Sequence, residues 1–415
     1  MNNKQRVVIT GMGTVNPLGN ATAESWRAAK AGVNGIAPIT LFDTSGQQVK
    51  LAGEVKGLDI PAHIPKKDAR KMDRFTQLAI IAAQEAMAES GLDMEKEADP
   101  TRCGVMVASG IGGLKTIGEQ QDRGHAKGFD RVSPFFVPMS IINMAAGQIA
   151  IAYGLKGMCS AVVTACASSN NAIGDSFHHI RDGYADVMVC GGAESCITDL
   201  GIGGFTSMKA LTKCPDPDRA SIPFDADRSG FVMGEGAGIL VLESLEHARK
   251  RGAAIVGEIV GYGASCDAYH ITAPDPTGAG GAAAMRIAVA DAGISPDAIG
   301  YINAHGTSTP LNDSGETAAV KAVFGAHAQK LAMSSTKSMT GHLLGGTGAV
   351  EAVFCVKALA DQFIPPTIGY QKPDPACDLD IVPNTGRAAA FDYALSNNLG
   401  FGGHNAVVVF KKWEG

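Results

Sequence analysis

The chain has 415 residues, enough for two domains of ordinary size or for one large duplicated unit that buries a catalytic site. Hydrophobic residues make up 45% and charged residues 18%, which excludes a disordered or coiled chain and suits a compact α/β enzyme. With 35 basic against 41 acidic residues the formal net charge is −6, which argues against a nucleic-acid partner, because phosphate binding needs a broad basic surface.

Runs rich in Val and Ile predict strands at RVVITG, CGVMVASG, AVVTA, DVMVCGG, GILVLE, IVGEIVGYG, IGYINAHG and AVVVFKK. Helix-like segments alternate with them, so the expected fold is layered α/β with largely buried sheets. The clearest helix is DRFTQLAIIAAQEAMAESGL, with apolar Phe75, Leu78, Ala79, Ala82 and Ala86 and a capping Gly91. A similar helix, GAAAMRIAVADAGI, ends at Gly293. The N-terminus enters a strand without a secretory pattern. The nine cysteines run from Cys103 to Cys377 without a C-x-x-C pair or metal-ligand spacing, so a reducing, cytoplasmic setting is expected. No run of about 18 uncharged apolar residues predicts a membrane span.

The two helices suggest a duplication. The first leads into CGVMVASGIGG and the second into IGYINAHGTST, so Ala108, Ser109 and Gly110 stand where Ala304, His305 and Gly306 stand. MGEGAGILVLE resembles FGGHNAVVVFK, and between those anchors lie TACASSNNAIG in one half and TKSMTGHLLGGTGAVEA in the other. The expectation is two similar halves, 1–255 and 256–415, with extra sequence around 112–160 in the first.

Four places carry chemistry. Cys166 lies at a predicted strand-to-helix turn, where the helix dipole and free N–H groups lower a thiol's pKa and make it a nucleophile; an inert buried cysteine is the other reading. His305, in NAHGTSTP, follows an apolar strand and precedes Thr307 and Thr309, whose hydroxyls suit a polar ligand arm, although a histidine capping a loop reads equally well. In STKSMTGHLLGGTGAVEA, Lys337 precedes His342 and Glu351 follows it; a Lys and Glu pair tuning an imidazole competes there with a charged loop-to-helix junction. In SNNLGFGGHN, glycines surround Phe401, so the aromatic ring can swing as a gate and backbone N–H groups can serve an oxyanion, unless the loop is a plain turn. A thiolate with two imidazoles suits acyl transfer followed by stabilisation of an enolate.

The motifs TACASS, NAHGTSTP, STKSMTGHLLG, GFGG and RSGFVMGEGAGILVLE resemble those of the β-ketoacyl-[acyl carrier protein] synthases, and the likeness to the elongating synthase II group spans the chain. The resemblance implies a thiolase-like fold of duplicated five-layer αβαβα architecture, a homodimer, a cytoplasmic acyltransferase of fatty acid elongation and no cofactor. It implies that Cys166 carries the acyl chain, that the N–H groups of Cys166 and Phe401 form the oxyanion hole, and that His305 and His342 bind the malonyl thioester oxygen as CO2 leaves. Lys337 and Glu351 support that network, and Phe401 gates it. By the same resemblance Thr307 and Thr309 contact the phosphopantetheine arm of the acyl carrier protein and Ile111 lines the acyl pocket. The region near 112–160 is then the cap and dimer region. The locally basic Lys66, Lys67, Arg70, Lys71 and Arg74 suit docking of an acidic carrier. Asn303, Glu351, Ser396 and Asn397 match positions around a monovalent cation in some members.

The final motif of the family usually reads SNSFGFGGTN; Asn398, Leu399 and His404 depart from it here. TACASS also falls within the range of polyketide-type ketosynthases, so a ketosynthase of a specialised acyl pathway stays open. Thiolases use a second cysteine as base, and Cys355 and Cys377 stand in no such motif. A chain-length-factor-like partner subunit normally lacks the cysteine that TACASS supplies.

Overall fold

The computed structural model describes residues 4–96 and 99–415. Strand β1 (Val7–Val15) is buried along its whole length, as a strand covered on both faces must be. It is followed by β2 (Cys103–Ala108), β3 (Cys159–Ser160), β4 (Val187–Glu194) and β5 (Gly236–Ser244), then by β6 (Gly257–Cys266), β7 (Ile299–Asn303), β8 (Ala332–Ser334), β9 (Tyr393–Gly400) and β10 (His404–Lys411). Hydrogen bonding runs in the order β8-β7-β9-β10-β6-β1-β5-β4-β2-β3. Read outward from the centre, one half is β1-β5-β4-β2-β3 and the other β6-β10-β9-β7-β8, so each strand of the second half stands five places after its counterpart. The pairings agree as well: two antiparallel and then two parallel on each side. Residues 7–9 against 257–259 form the only join between the two five-stranded sheets among the described residues.

Six helices complete the layers: α1 (Arg74–Ser90), α2 (Met144–Tyr153), α3 (Ser168–Arg181), α4 (Ala279–Asp291), α5 (Pro310–Phe324) and α6 (Thr347–Asp361). Leu78, Ala82 and Ile149 of α1 and α2 pack with Val189 and Ile239 in one outer layer. Ile173 and Phe177 of α3 pack with Val353 and Phe354 of α6 between the sheets, against Leu240 and Val408. Met285 and Val320 of α4 and α5 cover the other outer face with Ile302 and Val407. Ile239 and Leu240, like Val407 and Val408, face opposite layers, as strand alternation requires. The result is the expected duplicated αβαβα stack.

Glycine permits the tightest contacts of that stack, and it does so twice. A Cβ on Gly11 or Gly13 of β1 would meet the carbonyl oxygens of Ala86 and Ala82 of α1 at 2.1 Å. A Cβ on Gly261 or Gly263 of β6 would meet those of Ala288 and Ala284 of α4 at 2.3 and 2.2 Å. Helix α1 starts where Asp73 accepts the Phe75 N–H and ends at Gly91 with φ +61°, as its sequence predicts.

Two strand readings change. AVVTA is not a buried strand: only Cys159 and Ser160 pair with β2, at the sheet edge, and Val163 is 52% exposed. Strands β8 and β9 carry none of the Val and Ile signal; β9, YALSNNLG, is buried through Ser396, Asn397 and Asn398 because it serves the site.

Candidate active site

The turn from β3 into α3 presents Cys166. Ala165 before it takes φ +49°, a strained conformation for a residue with a Cβ, and Ser168 staples the turn by accepting the Thr164 N–H at 2.8 Å and donating to the Ala165 carbonyl at 2.6 Å. The N–H groups of Phe401 and of Cys166 itself point at the thiol sulfur. Burial nevertheless pushes the Cys166 thiol up to about 12, against the lowering influence of Lys337 and these N–H groups. The expectation of a thiol acidified by its helix is thus corrected: the resting sulfur is protonated, because desolvation outweighs the dipole.

The two imidazoles come from two loops, one after β7 and one before α6. The N–H groups of His305 and Gly306 donate to the Glu316 carboxylate at 2.7 Å each, and that of Thr307 donates to Asp313 at 3.0 Å, so α5 holds the loop after β7. His342 is pinned through its backbone, donating to the Val232 carbonyl at 2.7 Å and accepting from the Gly234 N–H at 2.9 Å, which explains the FVMGEG motif. Its Nε2 lies 3.0 Å from Cys166 Sγ and its Nδ1 3.0 Å from the Thr347 hydroxyl. The ligand atoms of Cys166, His305 and His342 all fall within 4.8 Å of one another, and the two rings meet edge to face at 5.3 Å. Burial, reinforced by Lys337, holds both imidazoles well below their usual value, so they are neutral.

Behind them Lys337 donates to Glu351 at 2.5 Å, and Asn398 donates to the other Glu351 oxygen at 2.8 Å. Burial raises the Glu351 carboxyl to about 7, with Lys337 opposing. The buried amide oxygens of Asn303, Asn397 and Asn398 have no hydrogen-bond partner, and Asn303 stands beside Ser396 in the register of β7 and β9. Such hard oxygen donors suit a small cation.

An open pocket of about 90 Å³ leads to these groups, lined by Cys166, His305, His342, Thr307, Thr309 and Phe401 among others. The Thr307 and Thr309 hydroxyls are 2.9 Å apart. Gly400 must be glycine, since a Cβ there would lie 2.7 Å from the Thr164 carbonyl and 3.1 Å from the Cys166 nitrogen. A chain of rings joins Phe401 to the histidines: Phe401 to Phe205 at 6.3 Å, Phe205 to Phe231 at 5.5 Å and Phe231 to His342 at 5.2 Å. Sequence reasoning passed over Phe205 and Phe231, because an aromatic residue in a loop gives no local sign of its distant neighbours. Ile111 lies outside the pocket lining, in an apolar cluster shared with Phe205, Phe231 and Leu344. Lys66, Lys67 and Arg70 are exposed, whereas Lys71 pairs with Asp68 and lies over Phe135. Arg74 departs from the expected basic surface: it turns inward to the fully buried Glu235, with two contacts of 2.7 Å. His404 does not line the pocket; its ring would sit 3.1 Å from a Cβ on Gly402, beside Phe401.

Residues 4–248 match the family model for the N-terminal domain of beta-ketoacyl synthase, and residues 256–371 match that for its C-terminal domain. The chain is 52% identical over 412 residues to 3-oxoacyl-[acyl-carrier-protein] synthase 2 of Synechocystis sp., covering 99% of both chains. It is 54% identical over 415 residues to the protein of the same name from Staphylococcus aureus (strain COL), covering both completely. Among solved structures it is similar to a beta-ketoacyl synthase from Burkholderia phymatum, with TM-score 0.92 and 35% identity over 99% of this chain and 100% of that one. It is also similar, at TM-score 0.91 and 34% identity over 99% and 100%, to a type II polyketide ketosynthase solved with its acyl-carrier protein.

Proposed function

The chain belongs to the β-ketoacyl synthase family and is a condensing acyltransferase, and we propose that it carries an acyl group on Cys166 and condenses it with malonyl-[acyl carrier protein] in fatty acid elongation. The observation that carries this reading is the meeting of one thiol and two neutral imidazoles beneath the Phe401 N–H.

In the first half-reaction the Cys166 thiol passes its proton to His342 Nε2 and attacks the thioester carbonyl. The oxyanion falls to the N–H groups of Cys166 and Phe401, and the carrier thiolate leaves with the proton. In the second, malonyl thioester binds with its carbonyl oxygen toward His305 and His342, and CO2 departs. Neutral imidazoles suit this step: each donates a hydrogen bond to the enolate oxygen without protonating the nucleophilic carbon. The Thr347 hydroxyl serves His342 in either tautomer, since it both donates and accepts. The enolate carbon then attacks the acyl-cysteine, and the expelled Cys166 thiolate takes up one proton to give free thiol and 3-oxoacyl product.

Lys337 and Glu351 hold the imidazoles' surroundings, and Phe401 separates the half-reactions. Thr307 and Thr309 receive the phosphopantetheine arm, Ile111 bounds the acyl chain, and Lys66, Lys67, Arg70 and Lys71 meet the acidic carrier. Asn303, Ser396, Asn397 and Glu351 would hold a monovalent cation, whose charge would offset the buried carboxylates; their orphaned amide oxygens support that assignment. We divide the chain into halves 1–255 and 256–415, with a cap and dimer region near 112–160. A homodimer across the β3 edge suits the exposed Val137, Ile151 and Val163. No helix among the described residues is long and apolar enough to cross a membrane, and a cytoplasmic setting suits nine cysteines without a disulfide.

The test is intact-protein mass spectrometry after incubation with acyl-carrier thioesters of several lengths, then a chase with malonyl-carrier protein. An adduct at Cys166 that disappears as 3-oxoacyl product forms is expected, and the lengths accepted separate fatty-acid from polyketide-type substrates. A folded protein that forms no adduct with any chain would overturn the reading in favour of a non-catalytic partner subunit.

A further inference from the structure

Glu194, the last residue of β4, is fully buried, and none of the steps above employs it. Its Oε2 accepts the Gly110 N–H at 2.6 Å and the Gly345 N–H at 3.0 Å. Its Oε1 accepts the Ser109 hydroxyl at 2.7 Å and the N–H groups of Ile111 and Gly112 at 3.2 and 3.3 Å, with the Cys196 sulfur at 3.4 Å. These donors belong to two segments far apart in the chain. Residues 109–112 follow β2 and carry Ile111. Gly345 stands three residues after His342, in the turn whose Leu344 lines the pocket with φ +46°.

The Gly345 peptide is held from both sides. Its N–H reaches Glu194, and its carbonyl accepts the hydroxyl of Ser169, three residues after Cys166. The approach is so close that a Cβ on Gly345 would lie 2.1 Å from the Gly110 nitrogen, and one on Gly110 2.8 Å from Glu194 Oε2. A carboxyl group with two oxygens can accept from all these donors at once; burial raises its pKa, and the same hydrogen bonds oppose that rise. The other half repeats the device, where Glu316 gathers the N–H groups of His305 and Gly306 after β7, the counterpart of β2.

We propose that Glu194 is a positioning residue of the condensing site: by gathering residues 109–112 and Gly345 onto one carboxylate, it sets together the His342 loop and the apolar cluster in which Ile111 backs the pocket-lining Phe205, Phe231 and Leu344. The proposal rests on the function proposed above. Glu194 touches no reacting atom; it acts through Ile111 on the pocket-lining Phe205 and Phe231 and through Gly345 on Leu344 and His342. Its negative charge also contributes to the upward push on the Cys166 thiol.

Glu194→Gln keeps the shape but turns an NH2 toward one donor set. In a variant that folds by circular dichroism, condensation is expected to fall roughly 10- to 100-fold in kcat with KM for malonyl-carrier protein little changed. The chain-length profile should change, and alkylation of Cys166 by iodoacetamide should shift to lower pH. An unaltered chain-length profile, kcat and alkylation profile would overturn the proposal. If Glu194→Gln does not fold, Ser109→Ala and Ser169→Ala each loosen one arm. Each should lower kcat several-fold and their double variant should show coupling, whereas strictly additive effects would overturn the shared clamp. Failure of the proposed function is seen separately, as a parent protein that forms no 3-oxoacyl product; the alkylation profile still judges the carboxylate in that case.

Discussion

The Lys337 ammonium meets the Glu351 carboxylate at 2.5 Å, with the two side chains only 1% and 2% exposed. Asn398 completes the pair by donating to the second carboxylate oxygen at 2.8 Å, which gives a purpose to one departure from the usual family motif: the amide reaches a carboxylate. Both imidazoles feel the Lys337 charge, so the pair is the electrostatic floor of the site.

Removing one member should leave the other buried and uncompensated. Lys337→Met or Glu351→Leu is expected to destabilise the fold by about 3–5 kcal/mol, and the double variant Lys337→Met/Glu351→Leu to regain most of that loss. Urea unfolding of the four proteins measures the coupling. Losses that simply add would show that the pair is not a unit.

The histidines set a pH dependence. Folding lowers both below the usual imidazole value of 6.5, through burial first and Lys337 second. As pH falls through 6.5 the unfolded chain takes up protons that the folded site refuses. The stabilisation is therefore complete above about pH 6.5 and is lost progressively below it. The histidine contribution to the unfolding free energy should fall from pH 7 to 5, while Glu351, raised to about 7, opposes it by taking up a proton first in the folded site; His305→Gln or His342→Gln should each make the measured slope less positive than the parent's. Decarboxylation of malonyl-carrier protein by Cys166→Gln should show no acid limb near 6.5; a limb centred there would contradict neutral donors held by burial.

Gly400 offers a steric test of the oxyanion hole. A methyl group there presses on the Thr164 carbonyl and the Cys166 nitrogen, which moves the neighbouring Phe401 N–H away from the sulfur. Gly400→Ala should slow acyl-adduct formation by about 10²–10³-fold, the scale of one lost oxyanion donor. Mass-spectrometric adduct kinetics read this directly. Unchanged kinetics would remove Phe401 from the oxyanion hole.

The three side chains that meet in the pocket were legible because each sits at a break that sequence marks. Cys166 precedes small residues that open α3, His305 ends an apolar strand, and His342 follows Gly341. The duplication was legible through paired helix and strand anchors, and the G-x-G runs of β1 and β6 repeat the same packing against α1 and α4. What sequence concealed depends on distance or on polarity in unusual places. Glu194 finds its partners 84 and 151 residues away. β9 is polar because it furnishes the site, so a search for Val and Ile passes over it. Arg74 read as surface charge, but the buried Glu235 that captures it stands 161 residues further on.

The misread AVVTA segment leads to the last prediction. β3 has a partner on one side only, and Val163 just beyond it is 52% exposed, with Ile151 at 74% and Val137 at 59% in the preceding segment. An apolar edge of this kind aggregates or finds a partner. A second copy of the chain is the expected partner, since the strand edge is self-complementary under a twofold axis. Val163→Asp places a charge in that contact and should convert a dimer into a monomer in sedimentation or size-exclusion measurements. The monomer should also lose adduct formation, because the unsupported turn from β3 carries Cys166. A parent protein that is already monomeric would overturn the dimer, and a Val163→Asp variant that stays dimeric would move the interface away from β3. The same variant forming adduct at the parental rate as a monomer would show that the nucleophile turn stands without its partner.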